Sequence, residues 1–134
     1  MSYKEMVNEY LTRFGEHVKV EFAPLDEEGY TSVKRGSATV GINVMEGHGV
    51  LMLLAPIMAV PKEGANDLYR KLLELNFLAT SDAAFAIDKD KEIIYLRALR
   101  GLEGLDYEEF VDLLGTVGRI ADEWDDKLHH EFGE

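Results

Sequence analysis

Two apolar runs, Thr39 to Met45 and Val50 to Val60, are separated only by Glu46-Gly47-His48-Gly49. That spacing predicts a hairpin centred on Gly47. Val40, Ile42 and Val44 alternate on one face of the first arm, and Leu51 and Leu53 join them from the second. This face is ordinary core. The same alternation puts Met45, Val50, Met52 and Leu54 on the opposite face, where a sheet wetted on one side carries polar residues. Leaving such side chains in water forgoes roughly 1.5–3 kcal/mol each. The second face therefore needs a cover, which is either the chain's own helix 1 or helix 3, or a subunit or peptide partner. Methionine suits an adaptable contact because it repacks easily. A one-residue slip in register would exchange the two faces. Pro56 has no N–H to donate, so its strand is expected at a sheet edge or bulged there.

The other elements follow from local patterns. Ser2-Tyr-Lys-Glu5 reads as a capping box. Tyr3, Met6, Val7, Tyr10, Leu11 and Phe14 follow as one helical stripe, with Gly15 as a stop, which predicts helix 1 over about 2–14. Val18, Val20 and Phe22 alternate with Lys19 and Glu21 and predict a short strand; Tyr30 to Arg35 predicts another. Leu68, Leu72 and Leu75, with Tyr69 and Leu73, mark helix 2 over about 64–76. Ala84 to Asp88 and Ile93 to Leu99 form a second hairpin around Asp90-Lys91, pairing Phe85 with Leu96 and Ile87 with Ile94, all four toward one core. Asp106 and Glu109 form a capping box, and Leu105 can staple onto Phe110. Phe110, Leu113, Leu114, Val117, Ala121, Trp124 and Leu128 then predict helix 3 over about 107–128. The order is α-β-β-β-α-β-β-α, an α+β two-layer fold with helices on an antiparallel sheet. The length of 134 residues fits one domain spanning 1–134.

Composition narrows the function classes. No cysteine is present, which removes disulfides, iron–sulfur clusters and thiol nucleophiles and agrees with a cytoplasmic setting. No apolar run approaches a membrane span and no signal peptide is evident, so no membrane role is expected. Net charge is −12, which disfavours a nucleic-acid partner. From Glu103 onward eleven acids face two bases, so a charged cargo is expected to be basic.

Leu51-Met-Leu-Leu-Ala-Pro-Ile-Met-Ala-Val-Pro61, then Leu68-Tyr-Arg-Lys-Leu-Leu-Glu-Leu-Asn76, then Leu102-Glu-Gly-Leu-Asp106 opening a long last helix, resemble the type III secretion chaperone-like fold over about residues 17–132. Within that fold, Asp26 to Ser37 and the ending Ala121 to Phe132 are similar to the YbjN-like family, with the Tir-chaperone (CesT) family as the second match. The resemblance implies a small, usually dimeric, non-enzymatic protein that binds polypeptides. For YbjN-like proteins it implies a regulatory or folding-support role.

No constellation argues for catalysis, a metal or a cofactor. Glu46 and His48 make only half a metal site. His129 and His130 point about 100° apart on a helix, where they favour its negative end. Asp88 to Glu92 lacks the glycine and the last glutamate of a calcium loop and reads as a turn. The expected partners are a second copy and another protein or peptide, with Met45, Val50, Met52 and Leu54 as the surface. Tyr95 and Arg97 lie on the non-core face of the last strand, suit an interface, and extend it. Gly115 and Gly118, costly inside helix 3 at about 1 kcal/mol each, imply a close approach by helix 1 or by a partner. A small-ligand-sensing regulatory domain of the YbjN type, which the resemblance implies, is the alternative function; an enzyme of unknown type is the third.

Overall fold

The computed structural model describes residues 1–133. Helix α1 spans Tyr3–Val18, α2 Ala65–Leu78 and α3 Tyr107–Phe132. The strands are β1 Tyr30–Arg35, β2 Ala38–Met45, β3 Val50–Ala59, β4 Ala84–Asp88 and β5 Ile93–Gly101. They form one antiparallel sheet in the order β1-β2-β3-β5-β4. The two-layer α+β expectation holds.

Local chemistry sets the helix ends. Ser2 Oγ accepts the Glu5 N–H at 3.1 Å. Helix α1 does not stop at Gly15, which is buried inside it; Lys19, in the left-handed region at φ 60°, closes it instead. The expected strand over Val18 to Phe22 does not form. Val18 belongs to α1, and the segment after Lys19 has no ladder partner, its Phe22 ring stacking on Phe14 at 5.7 Å. Asp106 caps α3 with the full reciprocal box, and α3 runs one turn past Leu128, carrying His129 and His130 in its last turn. Tyr10 ties α1 to the start of α3, its hydroxyl donating to the Leu105 carbonyl at 2.7 Å.

The hairpin register is the expected one, with Ile42 opposite Leu53 and Met45 opposite Val50. Phe85 faces Leu96 and Ile87 faces Ile94, also as expected. Ile87 nonetheless stays 42% exposed, because β4 is an edge strand and the helices do not reach its end. Pro56 lies in the central strand β3, where the ladder with β5 shifts between Pro56 and Met58. Of the two expectations for Pro56, the bulge is the one realised.

All three helices lie on one side of the sheet. A single core unites Val7 and Leu11 of α1, Leu68 and Leu72 of α2, and Phe110, Leu113 and Val117 of α3 with Val40, Ile42, Leu51, Leu53, Ile94 and Leu96 of the sheet. Every sheet residue in that set belongs to the same alternation.

Candidate functional site

The opposite face of the sheet carries no helix. Its burial alternates with the core face along β3: Leu51, Leu53 and Ala55 are buried, whereas Val50, Met52 and Leu54 between them are partly exposed. The register brings Met45, Val50, Met52, Leu54, Tyr95 and Arg97 together on this outer face. Met52 lies opposite Leu99, which is 45% exposed, and Leu54 lies opposite Arg97. Tyr30 extends the face across β1, its ring lying over Gly41, where a Cβ would come within 3.1 Å of it.

Gly115 and Gly118 sit on the other side of the molecule, on α3. Gly118 is buried beneath the stem of Arg35, whose Cβ and Cγ would lie 3.0 and 2.9 Å from an added Cβ. The close approach is therefore made by β1 of the same chain, not by helix 1. Gly115 has open space beside it. It lines a cleft of about 430 Å³ between the end of α1 (Phe14, Val18), Phe22 and the β1 edge at Val33.

A further apolar patch escaped the sequence reading. Leu73, Phe77 and Leu78 on α2 are 69%, 89% and 79% exposed. Phe77 and Leu78 fell beyond the predicted helix end at 76, so no helical face was assigned to them. Beside this patch the β4 edge is occupied from within. Asn76 Oδ1 accepts the Phe85 N–H at 2.7 Å, and its Nδ2 donates to the Phe85 carbonyl at 3.3 Å. A side chain thus stands where another strand would pair.

The polar features resolve into structural roles. Glu46 accepts the N–H groups of Tyr3 at 2.8 Å and Lys4 at 3.0 Å, so both oxygens hold the start of α1 and are not directed at His48. Those backbone hydrogen bonds, Lys4 first, lower the Glu46 pKa. Asp122 is lowered by the backbone N–H and then the hydroxyl of Ser37, which dock the β1–β2 turn on α3. Burial, followed by the nearby Asp106 charge, raises the Tyr10 hydroxyl. Asp88 Oδ1 accepts the N–H groups of Asp90 and Lys91, as a hairpin turn requires. Among the described residues no group of three metal-ligating side chains is brought together, and no helix is long and apolar enough to cross a membrane.

No curated protein sequence matches this chain closely enough to count as a relative. Solved structures do match. The ExsC–ExsE complex superposes with a TM-score of 0.76 at 25% identity, covering 96% of this chain and 97% of the matched one. The HopA1–SchA chaperone–effector complex gives 0.70 at 12%, covering 92% and 95%. YbjN from E. coli shares the fold more distantly, at 0.56 and 12%, covering 86% and 88%. The profile of the Tir chaperone protein (CesT) family matches residues 9–124. This chain belongs to the Tir chaperone (CesT) family.

Proposed function

We propose that the protein is a non-enzymatic, cytoplasmic, homodimeric chaperone that holds a segment of another polypeptide on the outer face of its sheet. The observation that carries this reading is the uncovered apolar face around Met52, Leu54 and Leu99, on strands whose other face is fully closed. Family membership supports the class, and so do matches to structures described as chaperone–effector complexes. The α2 patch of Leu73, Phe77 and Leu78 supports self-association, as a compact apolar surface that a second copy can match about a two-fold axis. The net charge of −12 favours a cargo that is basic where it lies outside the apolar face.

The test combines light scattering with affinity capture from the native cell. The wild type should run at roughly twice the 15.1 kDa chain mass. Phe77→Asp should halve that mass, and Met52→Asp should lose the captured polypeptide while keeping the circular dichroism spectrum. A monomeric wild type whose capture ignores Met52→Asp removes the proposal.

A second reading rests on the cleft between α1 and β1. Its volume of about 430 Å³ lies in the range of small-ligand sites. A small apolar ligand there would make the domain a regulatory sensor. Ligand-dependent rises in melting temperature, abolished by Val33→Asp, would select this reading over the first.

A further inference from the structure

The outer face has one charge at its centre. On the three inner strands its residues are Thr39, Asn43 and Met45 of β2, Val50, Met52 and Leu54 of β3, and Tyr95, Arg97 and Leu99 of β5, with Gly41, Pro56 and Ile93 between and beyond them. Arg97 is the sole ionised side chain among these. Leu54 and Ala84 flank it on the neighbouring strands, and Tyr95 and Leu99 precede and follow it on its own. Its side chain is exposed. Among the described residues no carboxylate stands within ion-pair distance of it, although the chain carries 26 acids. Arg100, three residues along the same strand, shows the contrast: it reaches Asp82 at 3.2 Å and Glu109 at 3.8 Å.

An unpaired arginine in water is unremarkable. Its position makes this one informative. Whatever covers Leu54, Met52 and Leu99 also meets Arg97, because that residue stands opposite Leu54 and two places before Leu99 on the same face. A guanidinium removed from water without acceptors is strongly unfavourable. An occupant that offers the guanidinium no acceptor would therefore bind poorly, however well it matches the apolar residues around it. A carboxylate fits best, since its two oxygens match the guanidinium fork.

We infer that the outer face selects a polypeptide segment carrying an Asp or Glu within an apolar stripe, and that Arg97 pairs with that carboxylate. This rests on the reading of the outer face as the docking surface. It also runs against the net charge: the segment is acidic at its point of contact, even where its flanks are basic.

Three synthetic peptides test this. They share one leucine-rich amphipathic frame and differ only at its central position, which holds Glu, Gln or Lys. Calorimetry should show the Glu peptide binding the wild type about tenfold or more tightly than the Gln peptide, with the Lys peptide weakest. Added salt should erode the preference. Arg97→Glu should invert the order, and Arg97→Met should flatten it, with circular dichroism unchanged in both. Met52→Asp separates the two levels of argument. If it weakens all three peptides while the wild type binds them equally, the face docks polypeptide but Arg97 does not select. If it changes nothing, or no peptide binds, the docking reading fails and the selection with it. If Arg97→Glu instead converts a dimer to a monomer by light scattering, the face belongs to a second copy and the inference is overturned.

Discussion

Leu53 and Leu54 are consecutive residues of one strand, chemically identical, and they live in different solvents. Leu53 is fully buried beneath the helices, and Leu54 is partly exposed on the face they leave open. The difference comes from the period of two along a strand, not from residue type. In most sheets of this kind the sequence announces the wet face with polar residues. Along β3 from Val50 to Ala55 both faces are written in apolar side chains, and there the placement of the helices tells them apart. The face without a helix stays partly open to water, so its residues gain less from folding than their buried neighbours on the same strand.

The largest expected effect breaks or confirms this contrast directly. Leu53→Ala should cost about 2–5 kcal/mol in chemical denaturation, the range for emptying a closed core site. Leu54→Ala should cost under about 1 kcal/mol in the isolated chain, because water can reach the space it leaves. Equal losses would mean that the outer face is as closed as the inner one, and the docking proposal would have no surface to act on.

How the two faces differ was legible only in part. The hairpin register was readable because its turn residues and alternation agree, and so was the pairing of Phe85 with Leu96. The start of α3 was readable because Asp106, Glu109 and Leu105 are all local to it. Where reading failed, tertiary position decided. The alternation of Val18, Val20 and Phe22 looks like a strand, but α1 continues through Gly15 and Phe22 turns back onto Phe14. Ile87 has core chemistry and the correct register, yet it ends on an edge. Which side the helices take is invisible in the strands themselves, so the sequence could identify the uncovered residues only as one of two possibilities. Gly118 shows the same limit: the need for a close approach is local, and the identity of Arg35 as the approaching group is not.

A smaller effect is expected where the core face closes at its β4 edge. Asn76 satisfies both backbone groups of Phe85 with one amide, the role a sixth strand would otherwise fill. Asn76→Ala should lower stability by about 1–3 kcal/mol, since two hydrogen bonds are lost and part-buried groups are left without partners. Hydrogen exchange should then speed up at the Phe85 amide more than at Leu96 on the inner strand. Uniform acceleration along both strands would show instead that Asn76 acts on global stability alone. A soluble variant that gains mass on losing Asn76 would indicate that the amide also blocks edge-to-edge pairing.

The smallest effect concerns the corner where α1 meets the hairpin on the core side. Glu46 accepts two N–H groups at the positive end of α1, and these bonds hold its pKa below the ordinary carboxylate value. A group with a depressed folded pKa contributes stability that is complete above its unfolded pKa and disappears as pH falls through the folded one. Glu46→Gln should therefore melt at a lower temperature than the wild type at neutral pH, since one acceptor oxygen and the charge are gone. The gap should close as the pH falls from the ordinary carboxylate range through the lowered folded value, where the wild-type carboxylate takes up its proton. Asp122, whose pKa is also lowered, is intact in both proteins, so the acid slope it causes cancels in the difference. Parallel melting curves from neutral to acid pH would show that the hairpin does not hold the start of α1 electrostatically, and that packing alone keeps the helix layer on one side of the sheet.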